Sequence, residues 1–221
     1  MRKVSILALV VLGAASLQAQ ESEQPVTLGF KVGVPVTDMF SASNTTQFSN
    51  SIPGSFTSAV PRYEFGVSGE FHLPLHLRFE IDGLYKRGGF DSESAFGSGA
   101  GLAFRPTTFN DWQVPGLFKY NIAMGHFRPF VDFGASLRHI STITQTTYAP
   151  GFSYGEISDN SIALHNRNSV GGVAGFGFTF KKGPFELIPE ARYTRWANES
   201  FETDGLRTNL DQGDVLLGIS F

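Results

Sequence analysis

The sequence contains no cysteine, so neither a disulfide framework nor a lipid-modified cysteine can hold this chain in place. It also lacks a surplus of basic residues, because 17 Lys and Arg stand against 20 Asp and Glu. Nucleic acid is therefore not expected as a partner, since its binding requires a basic face. Beyond residue 19 there is no run of about 18 apolar residues, the length that a transmembrane helix needs.

The first nineteen residues have the features of a secretory signal peptide. Arg2 and Lys3 precede an apolar stretch over residues 4–17, and the small residue Ala19 follows shortly after it. The apolar stretch is short for a membrane span, which favours cleavage after Ala19 over a retained anchor helix. We therefore divide the chain into a cleaved signal peptide, residues 1–19, and a mature part, residues 20–221. Without Arg2 and Lys3, the mature part has 15 basic and 20 acidic residues, a formal charge of −5.

Alternation of apolar and polar residues is the dominant pattern in the mature part. Val26, Leu28, Phe30, Val32 and Val34 are separated by polar residues or glycine, which predicts a strand with one apolar and one polar face. The pattern returns seven times, over residues 63–73, 77–86, 112–120, 128–138, 176–180, 185–193 and 214–221.

The connections between these eight strands alternate strictly between long and short. Residues 36–62, 87–111, 142–166 and 197–212 form long connections, which we expect to be outer loops, whereas short turns join the other pairs. A chain that crosses a membrane repeatedly shows this order, with short periplasmic turns and extended outer loops. We therefore predict an all-β fold, an eight-stranded antiparallel up-and-down transmembrane β-barrel. Pro115, Pro129 and Pro189 fall within predicted strands, where we expect bulges or strand ends.

Aromatic residues fall at both ends of the predicted strands, as expected of the two girdles at the membrane–water interfaces. The predicted outer girdle comprises Tyr63, Tyr85, Trp112, Tyr193 and Trp196; the periplasmic girdle comprises Phe71, Tyr120, Phe127, Phe180 and Phe185. A water-soluble barrel with an apolar interior is the alternative, and it explains neither girdle. Phe221, at the end of the last amphipathic strand, is predicted to be the signal that the barrel-assembly machinery recognises.

Two adjacent stretches of the chain carry a family resemblance. Residues 112–120 (WQVPGLFKY) and 128–134 (RPFVDFG) resemble the central hairpin of the outer-membrane β-barrel domain family, small eight-stranded porin-like or outer-membrane protein A-like barrels. Residues 83–90, 189–196 and 218–221 are similar to flanking parts of that family. The resemblance implies a fold and a location in the cell outer membrane, and it implies no reaction.

The polar face of the predicted strands carries equal numbers of acidic and basic residues. The predicted lumen charge network comprises Lys31, Glu64, Glu70, Arg78, Glu80, Asp82, Lys86, Lys119, Arg128, Asp132, Arg138, Glu186, Glu190 and Arg192. Eight strands enclose a space that side chains just fill, so these charges are expected to pair. The balance favours a salt-bridged plug, and a narrow pore for small or hydrophobic solutes is the alternative.

An enzymatic function has little support in the sequence. His139 and Ser141 share one strand face and resemble the His-x-Ser of lipid A deacylase barrels, with Glu156 as the nearest acid that could orient the His. That family carries Asn after the Ser, where this chain has Thr142. We predict no cofactor, no metal site and no catalytic residue, and a monomer that contacts outer-membrane lipid. The expected role is structural, or an interaction through the outer loops.

Overall fold

The computed structural model describes residues 25–42, 54–60, 62–96, 101–122, 127–149, 152–157, 164–203 and 206–221. The predicted signal peptide lies outside the described residues. The described residues form the strands β1 (Val26–Pro35), β2 (Phe40–Ala42), β3 (Gly54–Ser58), β4 (Glu64–His72), β5 (Leu77–Phe96), β6 (Gly101–Asn121), β7 (Phe127–Ala149), β8 (Phe152–Ile157), β9 (Asn168–Lys182), β10 (Phe185–Trp196), β11 (Glu202–Thr203), β12 (Leu206–Thr208) and β13 (Asp211–Ser220). No helix among the described residues is long and apolar enough to cross a membrane.

Eight of these strands close into a barrel. Each pairs antiparallel with the next in the order β1, β4, β5, β6, β7, β9, β10, β13, and β13 pairs again with β1, from Gly29 opposite Ser220 to Pro35 opposite Asp214. The predicted eight-stranded antiparallel barrel is confirmed. Closure leaves no unpaired edge in the barrel wall, so its backbone amides and carbonyls find partners within the wall, as a lipid environment requires.

Side chains alternate between the two faces of this wall. In β13, Val215, Leu217 and Ile219 are exposed, whereas Asp214, Leu216 and Ser220 are buried. Between the two aromatic belts, the described outward positions of the eight barrel strands carry apolar or aromatic residues, alanine, glycine or proline, and none is charged. The outer surface of the barrel therefore matches a lipid environment, and the polar groups face the lumen.

The short turns lie at one end of the barrel, as predicted. β4 and β5 are joined by a turn in which Leu73 N–H donates to the Leu77 carbonyl at 2.9 Å, with positive φ at Leu75 and His76. β9 and β10 are joined by a turn in which Gly183 has φ 65°. Glycine suits this left-handed conformation because it has no Cβ.

At the opposite end, much of the chain predicted as outer loops forms strands. β5 and β6 remain paired out to Phe96 opposite Gly101, and β7 continues to Ala149. β3 adds to β5 and β8 adds to β7, so the strands β3, β5, β6, β7 and β8 form a continuous outer sheet. The prediction of outer loops at residues 87–111 and 142–166 is therefore wrong for most of these residues, which lie in strands.

Two prolines in strands interrupt the ladder without changing its register. The β5–β6 pairing passes from Ile81 opposite Gly116 to Leu84 opposite Gln113, and Pro115 lies in the gap. Pro189 lies in a similar gap between Leu187 opposite Phe180 and Glu190 opposite Gly177. Proline has no N–H to donate, and at each of these two prolines two residue pairs of the ladder are missing while no residue is inserted. The expectation of bulges was therefore wrong at Pro115 and Pro189. Pro129 lies near the start of β7, as expected.

An apolar cluster fills the outer end of the barrel. Its buried members are Met39, Phe40, Phe56, Phe90, Phe109, Ile140, Ile143, Phe201 and Leu206. The ring of Phe40 packs edge-on against the rings of Phe90, Phe109 and Phe201, with centroid distances of 5.5, 6.1 and 5.7 Å. Gly88 belongs to this packing, because a Cβ there would lie 2.2 Å from the Phe109 ring. We call these nine residues the apolar plug.

The backbones of β6 and β7 lie close together at Gly116 and Gly134, and substitution of a glycine tests this packing in the barrel wall. A Cβ on Gly134 would lie 2.0 Å from the Gly116 carbonyl oxygen, a backbone atom that cannot move aside, whereas a Cβ on Gly172 would meet nothing within 4 Å. Gly134→Ala should therefore destabilise the barrel by about 1–3 kcal/mol. Gly172→Ala, the matched control, should stay within about 0.5 kcal/mol of the parent. Urea unfolding, followed by the heat-modifiable gel band, measures both; equal stability of the two variants would contradict this packing.

Candidate functional site

Lys31 lies at the centre of a buried charge network in the lumen. Its Nζ contacts Glu80 Oε1 at 2.5 Å, Glu190 Oε2 at 3.0 Å and Asp82 Oδ2 at 3.1 Å. Lys31 is 1% exposed, so the ammonium group has exchanged water for three carboxylates from β5 and β10. A buried charge is stable when its surroundings replace the lost hydration in this way.

Arg192 contacts the same three carboxylates. Its Nη2 lies 2.6 Å from Glu190 Oε1, 2.9 Å from Asp82 Oδ2 and 3.3 Å from Glu80 Oε1. Two cations and three anions thus form one compact group across the lumen. The group connects β1, β5 and β10, which lie apart in the barrel wall.

The network continues toward the end with the short turns. Lys119 Nζ contacts Glu80 Oε2 at 2.6 Å and Glu70 Oε2 at 3.0 Å, and it lies 4.4 Å from the centroid of the Phe130 ring. Arg78 Nη1 contacts Glu70 Oε1 at 2.5 Å and Glu186 Oε2 at 3.4 Å. We define the lumen ion network as the nine residues in this chain of contacts: Lys31, Glu70, Arg78, Glu80, Asp82, Lys119, Glu186, Glu190 and Arg192.

A second polar group lies between the lumen ion network and the apolar plug. The Arg138 guanidinium stacks 3.9 Å over the Trp196 ring, and its Nη2 donates to Gln212 Oε1 at 2.5 Å. Asp111 Oδ2 lies 3.4 Å from Arg138 Nε and 3.7 Å from Lys86 Nζ. Gln212 also accepts a hydrogen bond from Trp196 Nε1 at 3.0 Å. We call these five residues the upper polar layer.

The predicted fourteen charges therefore do not form one network. Nine belong to the lumen ion network, while Lys86 and Arg138 belong to the upper polar layer. Glu64 and Asp132 are buried, and their carboxylate oxygens have no hydrogen-bond partner among the described residues. Arg128 is half-buried on β7, in register with Thr179 of β9.

The prediction for Trp196 is wrong. Tyr193 faces outward on β10 and is 49% exposed, but Trp196 follows three residues later and is 1% exposed. An odd separation along a strand places two side chains on opposite faces, so Trp196 points into the lumen. There it supports Arg138 as part of the upper polar layer.

The other predicted girdle residues lie on the outward face. Tyr85 packs against Trp112 with ring centroids 4.8 Å apart in the outer belt, and Phe127 packs against Phe180 at 5.3 Å in the periplasmic belt. The remaining outward members are Tyr63, Tyr193, Phe71, Tyr120 and Phe185. Phe221 follows β13, is half exposed, and its ring lies 6.3 Å from that of Phe30.

His139 and Ser141 lie on the outward side of β7, and the described contacts do not assemble a catalytic group there. His139 Nδ1 lies 2.7 Å from the amide oxygen of Asn168, which has no negative charge to orient a general base. The side chain of Glu156 lies outside the described residues. Among the described residues, no three His, Asp or Glu side chains are grouped so that they could hold a metal ion.

Sequence reasoning missed two parts of the lumen. Asp111 was assigned to a loop, although it is fully buried in β6 opposite Lys86. Gln212 was assigned to the last loop, although it is buried at the start of β13 and donates to Asp214 at 2.7 Å. Extension of the alternating pattern of β6 from Gln113 back to Asp111 would have placed Asp111 inward. The apolar plug had no such signal, because its members come from separate segments.

Removal of the central cation tests whether the lumen ion network stabilises the barrel. Lys31→Met would remove one of the two cations that share the buried carboxylates of Glu80, Asp82 and Glu190, and Arg192 alone would remain in contact with all three. We expect a loss of about 3–5 kcal/mol. Lys182→Met, at the exposed last residue of β9, is the matched control and should change stability by less than about 0.5 kcal/mol. Urea unfolding in detergent micelles measures both. If Lys31→Met unfolded at the same urea concentration as the parent, the network would be irrelevant to stability.

A family model and several solved structures match this chain. A family model described as "Outer membrane protein beta-barrel domain" matches residues 5–220. No curated protein matches the chain. Among solved structures, the chain is similar to the Neisserial surface protein A, with 12% identity, a TM-score of 0.47, and coverage of 90% of this chain and 98% of that one.

Two structures from Pseudomonas aeruginosa are also similar. The outer membrane protein OprG has 11% identity and a TM-score of 0.49, with coverage of 88% of this chain and 92% of that one. The N-terminal β-barrel domain of OprF has 9% identity and a TM-score of 0.40, with coverage of 90% of this chain and 100% of that one. Because the family model spans nearly the whole sequence, the chain belongs to the outer membrane protein β-barrel domain family and is a β-barrel of the outer membrane.

Proposed function

We propose that this protein is a non-conducting barrel of the cell surface, and that its role is structural or lies in interactions made by its outer sheet. The observation that carries the proposal is the closure of the lumen at successive levels by groups of different chemistry. Neither the lumen ion network nor the apolar plug resembles the lining of an open aqueous channel.

The lumen ion network supports closure because its charges are already paired. Glu80, for example, contacts Lys31, Lys119 and Arg192. A permeating ion would have to separate such pairs and find room among side chains that fill an eight-stranded barrel. Leu117 and Phe130, both at least 98% buried, occupy further space at this level.

The apolar plug supports closure at the outer end. Phe109 and Phe201 pack with ring centroids 4.6 Å apart, and both are at least 99% buried. Apolar constrictions exclude ions because they offer no replacement for the hydration shell. The plug also explains how the outer strands extend beyond the membrane, since it supplies a core on which they pack.

The outer sheet is the part of the molecule best placed to meet an external partner. Its strands rise beyond the level of the outer aromatic belt, and Phe104 and Tyr148 form an outward aromatic pair with ring centroids 6.3 Å apart. Both side chains are exposed, at 37% and 47%. Aromatic residues on a rigid strand scaffold are typical of recognition surfaces.

The proposal includes export and assembly of the chain. A signal peptide cleaved after Ala19 delivers the chain, and the outward-facing Phe221 beside Phe30 is a contact for the barrel-assembly machinery. The protein is a monomer in contact with outer-membrane lipid, because closure leaves no strand edge in the wall for another copy. No reaction is proposed for His139 and Ser141.

Planar-bilayer recording tests the proposal. Protein purified from outer membranes, with Gln20 as its expected N-terminus, should migrate as a folded barrel before heating and give no steady conductance in molar potassium chloride. The double variant Phe109→Ala/Phe201→Ala should also be silent, because the lumen ion network still blocks the lumen below the plug.

Steady conductance steps from the folded parent protein would contradict the proposal and favour a narrow pore. Conductance from the double variant alone would show that the apolar plug is the sole barrier, which contradicts closure by the lumen ion network. Gel migration before heating serves as the control for folding in both measurements.

A further inference from the structure

A cleft opens in the side of the barrel at its outer rim. Its lining includes Asp38, Arg62, Lys86, Arg138, Asp211 and Gln212. The cleft exists because the pairing of β1 with β4 ends at Gly33 opposite Glu64, and its pairing with β13 ends at Pro35. The chain then turns inward, and Met39 and Phe40 join the apolar plug.

A buried arginine of the cleft has donor groups without a hydrogen-bond partner. Arg138 is 2% exposed, yet its Nη1 and Nε have no hydrogen-bond partner among the described residues. Lys86 is 3% exposed, and its ion pair with Asp111 spans 3.7 Å, which is longer than a hydrogen bond. Each unpaired buried donor of Arg138 costs about 1–3 kcal/mol, which an incoming acceptor would relieve. The neighbouring buried carboxylates of Glu64, Asp111 and Asp214 also have oxygens without a hydrogen-bond partner among the described residues.

The two acidic residues that line the cleft accept hydrogen bonds from neighbouring groups. Asp38 Oδ1 accepts hydrogen bonds from Ser58 Oγ at 2.6 Å and from Phe40 N–H at 3.2 Å. Asp211 accepts from the Tyr193 hydroxyl and from Arg195. An incoming ligand would therefore meet the unpaired donors of Arg138, and Lys86 and the exposed Arg62 also line the cleft.

The Arg138 guanidinium is held in place before any ligand arrives. Trp196 lies under its plane, Gln212 holds Nη2, and Asp111 lies beside Nε. A guanidinium fixed in this way presents planar, directional donors, which match the oxygens of a phosphate group. Glu64 and Asp214, buried on the adjoining ends of β4 and β13, oppose anion binding and should limit its affinity.

We propose that this cleft binds a phosphate group through Arg62, Lys86 and Arg138. Its mouth lies beside Tyr63 and near Tyr193, at the level of the outer aromatic belt, where lipid head groups are found. The phosphate can therefore belong to a lipid of the outer leaflet or to a soluble phosphorylated compound, and the two sources are distinguished by experiment.

Trp196 provides a direct readout of this site. Trp112→Phe leaves Trp196 as the single tryptophan, because the sequence contains two. In the full-length mature barrel in a phosphate-free detergent, inorganic phosphate should change the Trp196 emission with a saturable dependence on concentration. Chloride at the same ionic strength should not reproduce this change.

Substitutions in the Trp112→Phe background locate the binding. Lys86→Gln should weaken phosphate binding about tenfold, the loss expected for one charge-assisted hydrogen bond, and Arg62→Gln should weaken it by a smaller factor. Arg87→Gln is the matched control, since Arg87 adjoins Lys86 in sequence but faces outward and donates to Thr108. Arg62 is exposed, so Arg62→Gln should fold, and it tests the site even if Lys86→Gln does not fold.

A second arm identifies the source of the phosphate. The same protein in vesicles of phosphatidylcholine with phosphatidic acid is compared with vesicles of phosphatidylcholine alone. A Trp196 response to phosphatidic acid that Arg62→Gln weakens indicates a lipid phosphate, and a response to free phosphate alone indicates a soluble ligand. No saturable response in either arm, or a response that Lys86→Gln and Arg62→Gln leave unchanged, would overturn the proposal.

Discussion

In a lipid bilayer no water is available to backbone N–H and carbonyl groups, and the rest of this structure depends on that constraint. The ladder between β1 and β13 satisfies it, because it joins the two ends of the sheet and removes the last edge. The strand order then fixes which side chains face the lipid and which face the lumen. The ladder is interrupted at Pro115 and at Pro189, where two residue pairs are missing, and the register is the same on both sides of each gap.

Closure with eight strands also determines the chemistry of the lumen. The enclosed space holds side chains and little else, so inward-facing charges must be stabilised by one another. Lys31 and Arg192 achieve this by sharing the carboxylates of Glu80, Asp82 and Glu190. Above them the polar groups are less completely paired, and the cleft at the outer rim reaches this layer. A closed core and an incompletely paired rim can therefore coexist in one barrel.

The sequence predicts the barrel wall well because its pattern is local. Period-two alternation identifies the inward face of each strand, and all fourteen predicted lumen charges lie on that face. The failures arise where contacts are not local: Trp196 was assigned by its position at a strand end, although its separation from Tyr193 places it inward. The apolar plug combines Phe40, Phe90, Phe109 and Phe201, which are far apart in sequence and lie in segments that were predicted as loops. These residues come together through tertiary packing, which the alternating pattern of apolar and polar residues does not encode.

The absence of cysteine allows the most direct test of a closed lumen. Ser136, on the inward face of β7, is 2% exposed, and Ser41 of β2 lies on the exposed surface at the outer end. Each is replaced in turn by cysteine, a small change of the side chain, and treated with a charged, membrane-impermeant thiol reagent. The account predicts that Ser41→Cys reacts rapidly in the folded barrel and that Ser136→Cys reacts after unfolding. Reaction of both at similar rates in the folded state would show that water and ions enter the lumen, and would contradict the account.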